Sequence, residues 1–338
     1  MRQAIMTAPG KIEFRDIPAP AAGPGQVLLR IVRIGICGSD IHVNHGRHPY
    51  TKYPVVQGHE FSAVVEAVGP GVTGIRPGEK ATAMPQIVCG SCAPCRRGDY
   101  HICDQLKVQG FQVPGCAQDL FPISADKIVL LPDTFTHEQG ALVEPTAVAV
   151  HAVRRAGDIT GKNVVVLGAG PIGNLVAQVA RASAAAVLIT DISDFRLQVA
   201  RKCGLELTSN PNTESLPDAV RSAFGPAGFS VALECVGIEA TISAAIESIA
   251  KGGTIVAVGV FDAKPSIDLG LVQDRELRII GTLMYQREDY QRAVELIAAG
   301  QVITPPLESR HFPFAQYAEA YRYIDQHRQN CVKVFIDL

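Results

Sequence analysis

Residues 164–175 read VVVLGAGPIGNL, an unbroken apolar run that gives way to Gly168, Gly170 and Gly173 in G-x-G-x-x-G spacing. The residues that follow, "PIGNLVAQVARAS", have helical periodicity, so the glycines fall where a buried strand turns into a helix. In that setting the first glycine permits the tight turn, the second lets a pyrophosphate approach the backbone, and the third lets the helix pack on the strand. Gly168, Gly170, Pro171, Ile172 and Gly173 therefore form a candidate phosphate cradle, with the free N–H groups of the helix start facing the anion. A tight turn with no ligand would use the same glycines. The next strand, "AVLITDIS", argues against that bare reading, because it ends at Asp191, 21 residues after Gly170. A carboxylate there accepts hydrogen bonds from a ribose and repels a 2′-phosphate, which favours NAD over NADP. Arg196 either lies along an adenine or is an ordinary exposed helix arginine.

Outward from this point, strand-like and helix-like stretches alternate from Gly161 to "RIIGTL", the pattern of a parallel sheet flanked by helices. Before residue 147 the texture differs: short apolar runs such as "QVLLRIVRIGIC" and "FSAVVEAVG" are broken by glycine and proline, which predicts a β-rich domain. The Ala-rich stretch "HEQGALVEPTAVAVHAVRRAG" is expected to be helical, with Pro145 at a start or a break. The tail, with two helical patterns and a closing strand, is assigned back to the first domain. The expected organisation is α/β, with residues 1–147 and 284–338 in a β-rich catalytic domain and residues 148–283 in a dinucleotide-binding Rossmann domain.

The chain has 338 residues, of which 47% are hydrophobic and 19% charged, a globular balance that leaves no room for extended disorder. A net charge of −2 supplies no global field for a nucleic acid or an anionic membrane. The N-terminal residues lack the apolar core of a secretory signal, which predicts a cytoplasmic protein. Residues 163–180 carry no charge over about the length of a membrane span. They include GAGPIGN and Gln178, which suit a strand, turn and helix, so no membrane segment is expected.

Nine cysteines in such a chain point to metal ligands, a nucleophile or buried small residues rather than disulfides. Four of them, Cys89, Cys92, Cys95 and Cys103 in "CGSCAPCRRGDYHIC", have C-x2-C-x2-C-x7-C spacing that can close a tetrahedron around zinc. An iron–sulfur cluster or thiols grouped by accident are the alternatives. A site closed by four thiolates has no open position, so its metal would be structural. A second, mixed set is available from three separated segments: Cys37 in "GICGSDIHVNHG", His59 and Glu60 in "VVQGHEFSAVVEAVGPGV", and Glu144 in "ALVEPTAV". Sulfur, nitrogen and oxygen donors together are consistent with an open catalytic zinc. Each residue alone has an ordinary structural reading as a buried thiol, a satisfied histidine or a helix-capping carboxylate.

Taken in order, "GICGSDIH", "GHEFSAVVEAVGPGV", the cysteine lobe, "EPTAVAVHA" and "GAGPIG" resemble the zinc-dependent medium-chain alcohol and polyol dehydrogenases over essentially the whole chain. Within that family the chain is most similar to the sorbitol, butanediol and sugar-acid 5-dehydrogenase branch. The resemblance implies a GroES-like catalytic domain beside the Rossmann domain, and two Zn2+ per chain, one catalytic and one structural, with NAD as cofactor. It implies that Cys37, His59 and a glutamate, either Glu60 or Glu144, hold the catalytic zinc. It further implies that Asp40 supports His59, that Ser39 bonds the substrate hydroxyl, and that His42 passes its proton towards solvent. The implied reaction moves hydride from a secondary alcohol of a polyol, diol or sugar acid, of the L-gulonate, L-galactonate or L-iditol type, to NAD, giving a ketone. A homo-oligomer, dimer or tetramer, is common in the family.

Two positions depart from the family pattern. Ala63 stands where the zinc signature usually has glycine, and Met284 precedes Tyr285 where sorbitol dehydrogenases carry arginine. In compensation, "NHGRHPYTKYP" offers Arg47, His48 and Lys52 to a substrate carboxylate, or forms a solvated basic loop. Tyr50 and Phe111 are candidate pocket residues. The competing readings are a metal-free quinone reductase of the same fold, opposed by Cys37, His59 and the lobe, a non-catalytic zinc-binding homologue, opposed by Ser39 and His42, and a zinc-ribbon nucleic-acid binder, opposed by the net charge.

Overall fold

The structure is a computed structural model that describes all 338 residues, Met1–Leu338. The chain divides into two compact units: Met1–Glu144 with Gln286–Val294 and Glu308–Leu338, and Pro145–Tyr285 with Glu295–Leu307.

The second unit is built on a six-stranded parallel sheet. Its strands run Leu207–Ser209, Ala186–Thr190, Asn163–Leu167, Val231–Glu234, Thr254–Ala257 and Arg278–Gly281 across the sheet, the 3-2-1-4-5-6 order of a Rossmann fold. The central strand shows why the sequence folds this way: its β-branched run is buried from Val164 to Leu167, as a strand covered by helices on both faces must be. At its end Gly168 takes φ +96°, and the helix Pro171–Ala182 begins with Gly170 as its cap and proline at the first helical position. The helix packs so closely that a Cβ on Gly173 would lie 1.9 Å from the Gly168 carbonyl oxygen. The uncharged residues 163–180 are thus a strand, a turn and most of a helix, and no helix of the chain is long and apolar enough to cross a membrane.

The tail does not return to the first unit in one piece at residue 284, as expected from the sequence. Glu295–Leu307 stays with the nucleotide unit. One tie is Gln178, a buried amide on the helix Pro171–Ala182 that must find partners. It donates to the Ile303 carbonyl at 3.2 Å and accepts from the Ile303 N–H at 2.6 Å.

The first unit is β-rich. Its seven-stranded sheet places Glu308–Pro313, Lys333–Asp337, Gln26–Gly35, Glu60–Val68, Lys80–Ala83 and Ile128–Leu130 side by side, with Leu120–Ser124 also pairing to Gln26–Gly35. Val27, Leu29, Ile31, Ile34, Phe61, Val65 and Phe121 form its core, and the extra methyl of Ala63 is wholly buried among them. Pro145 lies in the first turn of the helix Val143–Arg155, just after the short helix His137–Ala141. The hairpin Arg2–Ala8 with Lys11–Asp16, and the strand Glu308–Pro313, carry little periodic apolar signal and are not legible in the sequence.

Gly173→Ala forces a carbon into the Gly168 carbonyl, so the helix must move off the strand. We expect a loss of about 1–3 kcal/mol in denaturant unfolding, together with at least tenfold weaker dinucleotide binding by titration; an unshifted midpoint and affinity would contradict the close-packing account.

Candidate active site

Cys37 ends the segment that follows the strand Gln26–Gly35 and caps the helix Gly38–Asn44. Glu60 opens the strand Glu60–Val68 and stands opposite Gly35 in the antiparallel ladder, which carries His59 to the same end of the sheet. Only glycine leaves room there: a Cβ on Gly35 would meet Glu60 Oε2 at 2.6 Å. The outcome is that ligand atoms of Cys37, His59 and Glu60 all lie within 4.8 Å of one another. Glu144, buried at the start of the helix Val143–Arg155, is not part of this three-residue set, although its charge reaches both His59 and Lys333.

This corner of the molecule crowds buried acidic groups. Burial, and then the charge of Glu60, push the Cys37 thiol up, and burial likewise raises the Asp40 carboxyl. Burial alone would drive the His59 imidazole towards its neutral form. Asp40, Cys37 and Glu144 outweigh it and lift His59 well above the ordinary imidazole range. With no metal bound, protons must offset the excess negative charge. A divalent cation does so with the same donors, and its binding releases those protons. The S/N/O donor set, with its ligand atoms within 4.8 Å of one another, fits such an ion.

Asp40 supports the set directly. Its Oδ2 accepts the Cys37 N–H at 3.0 Å, and its Oδ1 faces His59 Nδ1 at 3.7 Å. Ser39 and His42, three residues apart on the helix Gly38–Asn44, share one face of it, and both are half-buried. Sequence reasoning missed Lys333. Its Nζ donates to Glu60 Oε2 at 2.6 Å and to the Ile36 carbonyl at 3.1 Å. Burial works against its charge, but Glu60 and Cys37 prevail and its pKa is raised, so one oxygen of Glu60 is held by a permanent cation. The signal was a lone lysine in "CVKVFIDL", where a charge in a buried strand needs a partner.

The Phe111 ring lies 4.9 Å from His59 and stacks on His48 at 4.7 Å, and the Thr51 hydroxyl fixes His48 Nδ1 at 2.7 Å. Burial, with the charges of His42 and His59, lowers the His48 pKa. Arg47, Tyr50 and Lys52 are exposed, so the lasting positive charge of this loop lies on Arg47 and Lys52.

The four-cysteine lobe brings Cys89, Cys92, Cys95 and Cys103 together, all of them free thiols. The Cys92–Cys103 and Cys103–Cys89 sulfur separations are 3.8 and 3.6 Å. A tetrahedron with ~2.3 Å zinc–sulfur arms has edges of ~3.8 Å, so the sulfurs are spaced for one ion, closer than thiolates spread over a multi-iron cluster. Backbone N–H groups already point at them: Cys92 N to Cys89 Sγ, Cys89 N to Cys103 Sγ and Gln105 N to Cys103 Sγ, each at 3.3 Å.

In the nucleotide unit, Asp191 follows the strand Ala186–Thr190. Its carboxylate accepts the Ala169 N–H at 2.7 Å and the Ser193 N–H at 2.8 Å. Ala169 lies inside the glycine turn, so the acid is anchored against the cradle formed by Gly168, Gly170, Pro171, Ile172 and Gly173. Arg196 Nη1 stands 3.8 Å from Asp191.

Two family models match the chain: the alcohol dehydrogenase GroES-like domain over residues 23–133 and the zinc-binding dehydrogenase domain over residues 171–299. Among curated proteins, a 2-dehydro-3-deoxy-L-galactonate 5-dehydrogenase of Pseudoalteromonas atlantica is 36% identical over 95% of this chain and 94% of its own length. The chain belongs to the zinc-dependent medium-chain alcohol and polyol dehydrogenases. Sorbitol dehydrogenase of Homo sapiens is 35% identical over 94% of this dehydrogenase and 90% of its own length. The solved structure of a zinc-binding dehydrogenase candidate from Sinorhizobium meliloti 1021 bound to NADP superposes with a TM-score of 0.90 at 28% identity, covering 100% of this chain and 99% of that one.

The dehydrogenase is thus an oxidoreductase that uses zinc and a nicotinamide cofactor, with a small-molecule substrate. Within its lobe the four thiols are unequal. Backbone N–H groups of Ser91 and Cys92 bring Cys89 down to about 6, while burial pushes Cys95 up to about 12. A lowered pKa means thiolate above it, so after metal removal Cys89 should be alkylated by iodoacetamide with half-maximal rate near pH 6, ahead of Cys95 throughout the neutral range. Peptide mapping after brief labelling at pH 7 checks this; equal labelling of the two would refute it.

Proposed function

We propose that this chain oxidises a secondary alcohol of a polyol, diol or sugar acid to a ketone with NAD, carrying one zinc in the cysteine lobe and a second at Cys37, His59 and Glu60. The observation that carries this reading is the convergence of a thiol, an imidazole and a carboxyl on one point, beside a separate four-thiol set. Four sulfurs saturate a tetrahedral ion, whereas three protein donors leave a position for a substrate oxygen. Held there, a zinc ion would supply Lewis-acid polarisation of a substrate hydroxyl, and a nicotinamide would supply the hydride acceptor. The chain's own residues prepare that event. Asp40 orients His59 and fixes the Cys37 backbone, Lys333 holds one oxygen of Glu60, and Glu144 adds negative charge around His59. Ser39 Oγ accepts the proton leaving the substrate hydroxyl as it gives up its own, and His42 hands a proton towards solvent.

A carboxylate-bearing substrate is supported by Arg47 and Lys52 and by the sugar-acid relative, and an uncharged polyol by the sorbitol relative. NAD is favoured by the Asp191 carboxylate, which would repel a 2′-phosphate, although the Sinorhizobium protein was solved with NADP. The metal-free reductase reading leaves two clusters of metal-binding side chains unexplained. The unpaired sheet edge at Arg278–Gly281, with Ile279 exposed, supports a homo-oligomer built on a second copy of that edge. Nine free cysteines suit a reducing cytoplasm.

Metal analysis should find about two zinc ions per chain, and activity with NAD across polyols, vicinal diols and aldonates should identify the substrate. Cys37→Ala should lower turnover at least 1,000-fold and leave NAD affinity within about twofold, the order of loss that follows removal of a catalytic group; retained turnover would remove Cys37 from the centre. Asp191→Ala should reduce the NAD over NADP preference in kcat/KM by about tenfold or more, equivalent to ~1.4 kcal/mol. An unchanged ratio would show that another group reads the ribose.

A further inference from the structure

Gln57, two residues before His59, is a buried primary amide that directly follows the apolar residues Pro54, Val55 and Val56. Packing alone would favour an aliphatic side chain there, since a buried amide is costly unless its hydrogen bonds are made. They are made in a directed series. Tyr321, on the helix Tyr317–Gln326 near the other end of the chain, donates its hydroxyl to Gln57 Oε1 at 2.8 Å. Gln57 Nε2 donates to Asp40 Oδ1 at 3.3 Å and to the Asp40 carbonyl at 3.4 Å. Asp40 Oδ1 is the oxygen that faces His59, while Oδ2 holds the Cys37 amide. Asp40, Gln57 and Tyr321 are all at least 97% buried, so water cannot substitute for any member.

The direction of the series has a physical origin. Burial raises the Tyr321 phenol well above its ordinary range, so it stays protonated and donates. The amide oxygen of Gln57 must then face the phenol, which leaves its NH2 for the carboxylate. Without that pin, a flipped amide would set its oxygen against the Asp40 carboxylate, and Asp40 would lose the donor on the oxygen that faces His59.

We propose that Tyr321 and Gln57 are positioning residues of the Cys37–His59–Glu60 metal centre, acting through Asp40. The inference rests on the reading of that set as a zinc site. Tyr321→Phe removes one oxygen and keeps the ring beside Tyr317, whose centroid is 5.7 Å away, so the fold is retained. Gln57→Leu replaces the amide by a side chain of similar size.

Zinc release from the intact protein to excess chromogenic chelator gives a readout independent of activity. Each variant should release one zinc roughly 10- to 100-fold faster than wild type, as loss of an outer hydrogen-bond partner does at metal sites, with the second, lobe-bound zinc unchanged. Because Tyr321 acts through Gln57, the double variant should be no faster than Gln57→Leu alone. Wild-type release from both single variants, or multiplicative effects in the double variant, would overturn the positioning role while leaving the zinc site intact. A wild-type protein that holds only the lobe zinc would overturn both. Should Gln57→Leu fail to fold, Gln57→Met with Tyr321→Phe completes the same cycle.

Discussion

Buried negative charge that the polypeptide cannot balance by itself dominates the first unit. Cys37, Asp40, Glu60 and Glu144 gather around His59, and among them Lys333 supplies one fixed cation. In an apolar interior such groups either take up protons or attract an ion, because isolated charges are too costly to bury. The rise of the Cys37, Asp40 and His59 pKa values is the first response, and metal binding is the second. The sheet around them makes the concentration of charge possible. The ladder that sets Glu60 opposite Gly35 leaves no space for a side chain on the facing strand, and the helix beginning at Gly38 turns Asp40 back onto the Cys37 amide.

The two metal sets solve different problems. The lobe has little regular structure, one short helix at Ala93–Arg96 and a single turn at Tyr100–Ile102, so its geometry is written in backbone N–H groups aimed at sulfur. The mixed set is embedded in the sheet and held by outer partners drawn from three regions, with Asp40, Gln57 and Tyr321 on one side and Lys333 on the other. A closed ion in a loop and an open ion on a rigid support are the arrangements expected of structural and reactive zinc respectively.

Much of this was legible in the sequence, and the exceptions share a cause. The glycine turn, Asp191 and the cysteine lobe lie in short motifs whose spacing states their geometry, while Cys37, His59 and Glu60 come from separated segments and were legible only as donor types and by resemblance. Glu144 was grouped with the ligands as a donor from a third segment, whereas it is not among the three whose ligand atoms converge. Lys333, Gln57 and Tyr321 could not be read as a group, because their partners lie far away in sequence: 273 residues separate Lys333 from Glu60 and 264 separate Tyr321 from Gln57. No local periodicity encodes such a pairing. Their shared mark is polarity where the pattern is apolar. The placement of Glu295–Leu307 failed to show for the same reason, since the side chains that bond it, Gln178 and Arg181, reach backbone 125 and 120 residues away.

The position of Lys333 also makes the mixed set an assembly of distant parts of the chain. The side chains of the mixed set lie within the first 60 residues, yet the ammonium paired with Glu60 and the phenol bonded to Gln57 come from residues 333 and 321. Without the pairing of Lys333–Asp337 onto Gln26–Gly35, the pocket would lack the fixed cation beside Glu60. Completion of the mixed set thus depends on that long-range pairing, whereas the lobe cysteines and the backbone N–H groups aimed at them all lie within residues 89–105.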